Sequence, residues 1–182
     1  MSSTIPLFNQ GCLVTGAGRG LGASLVLDLL SQGASVAAIS RQQVELQQLR
    51  YRAFDETLDA NLFLEVGSTL NTQSTLNAIS QLNDHGCDLN LLVANASVFG
   101  PRKTFFDCSI TEWEDSVSTN IFGLARCIKA AIPALRKASS AQIIVIGSAM
   151  GHMHSSHATA YAVSKAMSWS LVKCLSEELA PF

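Results

Sequence analysis

The sequence predicts an α/β fold built on a doubly wound parallel sheet. Three observations carry that expectation. Short apolar runs alternate along the chain with longer segments of helical periodicity. Runs such as 142–146 are continuously apolar, as a strand covered on both faces is. Four glycines fall within the seven residues Gly16 to Gly22, directly after the first run.

Each element follows in order. Cys12–Thr15 reads as the first strand, with Gly11 before it. Gly20–Gln32 reads as a helix that Gly33 stops. Ser35–Ile39 is a second strand and Gln42–Glu56 a polar helix. Asn61–Val66 is a third strand, Thr72–Asp84 a third helix and Leu89–Ala94 a fourth strand. A loop with Gly100-Pro101 leads into a long helix over 111–137. Its apolar residues Val117, Ile121, Leu124, Ile128, Ile132 and Leu135 recur every three or four positions. Pro133 should kink it or loosen its last turns. A fifth strand, Gln142–Ile146, precedes a final helix from Ser156 towards Leu179. Right-handed crossovers then give a Rossmann-like sheet in the order 3-2-1-4-5, with ligands beyond the carboxyl ends of the strands.

Composition narrows the function classes. The 182 residues suffice for one domain with a sizeable core. Charged residues make up 14%, against roughly 25% in ordinary soluble domains, which points to much buried or partner-covered surface. A net charge of −2 offers no basic field for nucleic acid. No apolar stretch reaches the roughly 18 residues of a membrane span, and MSSTIPLFNQ lacks the pattern of a signal peptide. The cytoplasm is the expected compartment. Five cysteines, without a CxxC pair, suggest neither a disulfide framework nor zinc. The tract HMHSSH (152–157) has metal-ligand letters but is not read as a metal site, so no metal is expected. Trp113, Phe105 and Phe106 read as packing residues around the long helix.

The glycine segment TGAGRGLG carries the first chemistry. Starting from Gly16 or Gly18, GxGxxG would need glycine at Leu21 or Ala23. GxxxGxG fits instead, at Gly16, Gly20 and Gly22. Glycines allow a sharp turn and close approach to a pyrophosphate, which the N-terminus of the next helix attracts. The second strand ends in Ser40-Arg41, with no acid there for a ribose hydroxyl, and Arg19 adds a second cation. Arginines suit a 2′-phosphate, so NADP is expected ahead of NAD.

Further motifs follow in order: Asn95-Ala96 after the fourth strand, Asn120 in STNIFG, Ser148 in IVIGSAMG, and Tyr161 with Lys165 in YAVSK. With Thr15-Gly16-Ala17-Gly18-Arg19-Gly20-Leu21-Gly22, the ordered set resembles the short-chain dehydrogenase/reductase family over nearly the whole chain. The resemblance implies that Tyr161 exchanges a proton with the substrate oxygen. Lys165 would hold the nicotinamide ribose and lower the tyrosine pKa, as a neighbouring ammonium does. Ser148 would bond the substrate oxygen, and Asn120 would anchor a water. The cofactor would meet Thr15, Gly16, Gly18, Arg19, Gly20, Leu21, Gly22, Ser40, Arg41, Glu65, Val66, Asn95, Ala96, Tyr161 and Lys165. The implied function is interconversion of a carbonyl and an alcohol, by a dimer or tetramer joined through helices 111–137 and 156–179.

Three departures qualify the match. Ser97 stands where the family has glycine. Glu65-Val66 replaces an Asp-Val pair. Residues 1–182 form a single NAD(P)-binding Rossmann-like domain expected to be incomplete at its C-terminus, because the resemblance implies a further strand and substrate helices after ELAPF. Strand 142–146 would then be an edge. A non-catalytic nucleotide-binding chain, or one contributing only an interface, is the rival reading.

Overall fold

A computed structural model describes residues 7–153 and 155–181. Strands β1 (Gly11–Thr15), β2 (Ser35–Ser40), β3 (Leu62–Val66), β4 (Leu89–Ala94) and β5 (Gln142–Val145) form one sheet. Its order is β3-β2-β1-β4-β5 and every pairing is parallel, as expected. Helices α1 (Gly20–Ser31), α2 (Gln43–Asp55), α3 (Thr72–Asp84), α4 (Ile110–Val117), α5 (Gly123–Leu135) and α6 (Thr159–Leu179) make the crossovers and the final segment.

Side-chain alternation sorts the core into two layers. Cys12 and Val14 of β1 pack with Val36 and Ala38 against Val26 and Leu30 of α1 and Leu46 and Leu49 of α2. Leu13 faces the other way, with Ile39 and Leu92, against Ile79 and Leu82 of α3 and Leu124 and Ile128 of α5. The β1 and β2 residues are buried throughout.

The structure departs from expectation at four places. First, β5 is not covered on both faces. Ile143 and Val145 pack against the α3–α5 layer, but Ile144 on the opposite face is 42% exposed. An apolar run alone does not show whether a helix lies over each face. Between α5, β5 and α6 lies an apolar hollow of about 460 Å³, lined by Ile132, Val145, Leu175 and Leu179 among others.

Second, the long helix is not continuous. A π-type segment, Ser118–Phe122, separates α4 from α5, and Gly123 N–H reaches back to Ser118 O. Pro133 is accommodated inside α5, which ends two residues later. Its exit tightens through Lys137 N–H to Ala134 O and Ala138 N–H to Leu135 O.

Third, Phe105 and Phe106 are not packing residues: they are 57% and 96% exposed. Fourth, the last helix begins at Thr159 rather than Ser156. In the histidine tract, His154 lies outside the described residues, while the His152 ring sits edge-on to Trp169 at 5.1 Å. No helix among the described residues is long and apolar enough to cross a membrane.

The cysteines report on this core. Burial pushes the Cys12 thiol up to about 12 and the Cys127 thiol up to about 11, from 9.0. The unfolded chain therefore loses these protons first, and the stability present below pH 9.0 is lost as pH climbs towards those values. Cys174 is exposed. We expect iodoacetamide to label Cys174 rapidly in the native protein and Cys12 and Cys127 only on unfolding. Peptide mapping in which Cys12 reacts first would overturn the packing described.

Candidate active site

The loops after β1, β2, β3 and β4, at the carboxyl end of the sheet, meet along one cleft. The decisive seam joins β1 to β4. Thr15 Oγ1 accepts the amides of Asn95 (3.1 Å) and Ala96 (3.0 Å). Asn95 Nδ2 donates to the carbonyls of Thr15 (3.0 Å) and Gly16 (3.1 Å). These bonds satisfy polar groups at strand ends that no sheet partner reaches.

Against that seam the glycine loop has no room for side chains at Gly16 and Gly22. Gly16 has φ +63°, and a Cβ there would come within 2.8 Å of Ala96 Cα. A Cβ on Gly22 would fall 2.2 Å from Gly16 O. The first turn of α1 thus lies directly on the loop. Arg19 precedes that turn without a side-chain cap, and the turn carries no acid. Its free N–H groups and positive dipole end remain available to an anion.

The cleft encloses about 740 Å³. At one end lie Arg19, Ser40, Arg41 and Glu45, in the middle Gly16, Gly20, Leu21 and Gly22, and at the other end Ser97, Val98 and Thr119. Asn95 and Ala96 line it as expected. Thr15 and Gly18 support the loop from behind and are not among its lining residues. Neither are Glu65 and Val66: Glu65 Oε1 accepts from Asn77 Nδ2 at 3.2 Å, and Gly67, Ser68 and Thr69 take that wall. The cradle fits a dinucleotide, with the pyrophosphate on the glycine loop.

Beyond Val98 lies Asn120, which is 3% exposed and is tied through Ser164 to the helix that carries Tyr161 and Lys165. Its Oδ1 accepts from Val98 N–H (2.8 Å) and Ser97 Oγ (3.1 Å). Its Nδ2 donates to Val98 O (2.8 Å) and Ser164 Oγ (2.9 Å). An amide side chain offers two donors and two acceptor sites, so all are used. All four side-chain positions of Asn120 are thus met by protein groups. Ser97, where glycine is usual, supplies one of the two bonds to Oδ1.

Tyr161 and Lys165 lie one turn apart on α6, as their spacing predicts. The Lys165 ammonium is 5.7 Å from the centre of the Tyr161 ring and donates to Ile146 O at 2.8 Å. Burial holds its pKa below the usual lysine value. Ser164 Oγ donates to Tyr161 O at 2.8 Å. The Tyr161 ring stacks on Phe99, centroids 4.8 Å apart and planes 20° apart. The Arg102 guanidinium lies 4.7 Å from the centre of the same Phe99 ring. Ser148, just after β5, accepts from Met150 N–H at 3.2 Å, so its own hydroxyl proton is available.

Sequence motifs missed Glu45, Phe99, Ser164 and the Gly67–Thr69 wall. Ser164 stands inside YAVSK, where helical spacing from Tyr161 places it on the adjoining face. Phe99 and Glu45 lie within four residues of motif positions.

The model of the short chain dehydrogenase family matches residues 10–182. This chain belongs to that family. It is 31% identical over 173 residues to the short chain dehydrogenase gsfK of Penicillium aethiopicum, covering 90% of this chain and 68% of that protein. It is 29% identical over 154 residues to the NADP-dependent 3-hydroxy acid dehydrogenase YdfG of Escherichia coli K12, covering 85% of this chain and 60% of that one. A short chain dehydrogenase structure from Pseudomonas syringae superposes with a TM-score of 0.88 at 25% identity, over 97% of this chain and 74% of the other. Carveol dehydrogenase from Mycobacterium avium in complex with NAD has the same fold, with a TM-score of 0.89 at 21% identity, over 98% of this chain and 68% of the other. This chain thus spans 60–68% of the length of these two curated relatives.

The saturated Asn120 amide makes a direct prediction. Asn120→Ala leaves the half-buried Val98 backbone and the buried Ser164 hydroxyl without these partners, and should cost about 2–4 kcal/mol. Urea unfolding that detects less than about 0.5 kcal/mol would show the cluster to be solvated.

Proposed function

We propose that the chain is an NADP-dependent oxidoreductase that interconverts a carbonyl and an alcohol. The observation that carries the reading is the Tyr161 hydroxyl. It has no hydrogen-bond partner among the described residues, its ring is held by Phe99, and a buried ammonium lies 5.7 Å from the ring centre.

The residues that would hold the dinucleotide are the glycine loop, the first turn of α1, Asn95-Ala96 and Lys165. When bound, the cofactor supplies or accepts the hydride. Tyr161 gives its hydroxyl proton to the substrate oxygen in reduction and takes it back in oxidation. The Lys165 ammonium beside the ring places a positive charge next to the atom that exchanges the proton. Lys165 is buried, so its charge acts through less water than a surface lysine's would. Ser148 donates its hydroxyl proton to the same substrate oxygen. Asn120 holds the Val98 segment against α6 and so keeps Phe99 on Tyr161.

The choice of NADP rests on Arg41. It lines the cleft next to Ser40, and it has no partner among the described residues. The Escherichia coli relative is NADP-dependent by name, which supports the same choice. Val163, Met167 and Trp169 on α6 are 41%, 41% and 51% exposed. They support association of copies through α6, alongside α4–α5. Light scattering that returns a monomer mass would remove that part of the reading.

Tyr161→Phe should abolish turnover of a carbonyl panel while leaving NADPH binding intact. Arg41→Ala should weaken NADPH by about tenfold or more with little effect on NADH. Turnover that survives Tyr161→Phe would sink the mechanism. NADPH bound without turnover of any carbonyl or alcohol would favour the rival, a nucleotide-binding chain without catalysis.

A further inference from the structure

The corner of the cleft that faces Arg41 holds an acid that no motif describes. Glu45 stands in the first turn of α2. Its Oε2 accepts from Ser40 Oγ at 2.9 Å, and its Oε1 lies 3.4 Å from Arg19 Nε. It also lies close against the glycine loop: a Cβ on Gly18 would meet Glu45 Oε2 at 2.6 Å. The strand end itself carries no acid, but the helix folds one back onto it.

Its two partners are the groups that a 2′-phosphate would want. Ser40 has one hydroxyl proton and gives it to Glu45. Arg19 has a forked guanidinium, with its side chain 85% exposed, and turns its Nε to Glu45. An ion pair with one partner so exposed is weak and easily exchanged. A 2′-phosphate brings about −1.5 to −2 charge and three acceptor oxygens, so it competes for both donors and is repelled by the carboxylate between them. A ribose with a free 2′-hydroxyl is not repelled and can donate to that carboxylate.

We infer that Glu45 is a specificity-determining residue, an internal anion that rivals the cofactor 2′-phosphate for Ser40 and Arg19 and so narrows the preference for NADP over NAD. The inference rests on the dinucleotide reading above, but not on which cofactor the wild type prefers. Arg41 attracts the phosphate and Glu45 opposes it. The ratio of the two affinities is set by both residues, not by the strand-end arginine alone.

The test is fluorescence titration of the whole purified chain with NADPH and NADH, and calorimetry with adenosine 2′-monophosphate. The variants are Glu45→Gln, Glu45→Ala and Glu45→Gln with Arg19→Ala, each checked for an unchanged far-UV spectrum. Removing a like charge beside a partly exposed phosphate is worth about tenfold in affinity. We expect Glu45→Gln and Glu45→Ala to tighten NADPH and adenosine 2′-monophosphate by about that factor, with NADH unchanged or weaker. The gain should shrink at high salt and when Arg19 is also removed. Parallel changes in NADPH and NADH, or weaker NADPH in both variants, would overturn the inference. So would failure of wild type and variants alike to bind all three probes. A wild type that prefers NADH, yet gains NADPH affinity on Glu45→Gln, overturns only the choice of NADP and supports the role of Glu45.

Discussion

Thr15 Oγ1 receives the amides of Asn95 and Ala96, and Asn95 Nδ2 returns two bonds to the carbonyls of Thr15 and Gly16. The rest of the site hangs on this seam. Adjacent parallel strands end together, and both chains must leave the sheet with their polar groups satisfied. The seam meets that demand with side chains already present. It also fixes the distance between the glycine loop and the β4 loop, and hence the width of the cleft. A loop pinned at Asn95 can only continue towards α5, which is how Val98 comes to Asn120.

A second tie carries that order into α6. Asn120 binds both polar groups of the Val98 backbone and reaches Ser164 on the neighbouring helix. Ser164 in turn bonds the carbonyl of Tyr161. The phenol is therefore located from two sides: through its backbone by Ser164, and through its ring by Phe99. Ser97 completes the arrangement by filling the last acceptor site on Asn120. What reads in the sequence as a substitution in a glycine position is, in the structure, a hydrogen bond. It stiffens the cluster and takes a place otherwise open to solvent.

The sheet was legible because it rests on repeated, redundant signals. Runs such as Ser35–Ser40 are apolar, short and bounded by glycine or polar residues, and five of them alternate with helical periods. Single-residue events were not legible. The spacing of Val117, Ile121, Leu124 and Ile128 is as regular as in an unbroken helix. A π turn absorbs its extra residue locally, so the spacing stays regular and the segment leaves no mark in the sequence. The exposure of Ile144 depends on what lies over β5, which its own letters do not encode. Glu45 was missed because an acid was sought at the strand end. A helix turn returns residues three or four positions away to the same place. Sequence motifs name residues that meet a ligand; they are silent on those that hold such residues or compete with them, such as Ser164 and Glu45.

The π segment has an evolutionary side. A π turn is an α-helix that has gained one residue, and it is less favourable than the regular turn it interrupts. Deleting a single residue between Ser118 and Phe122 would restore an ordinary helix from Ile110 to Leu135. That deletion would close the wide turn that carries Asn120 and draw its side chain away from Val98 and Ser164. The simplest local repair of the backbone is thus also the one that dismantles the cluster. A lineage released from selection for the site could regularise this helix by one codon loss. The wide turn and the Asn120 cluster therefore stand or fall together.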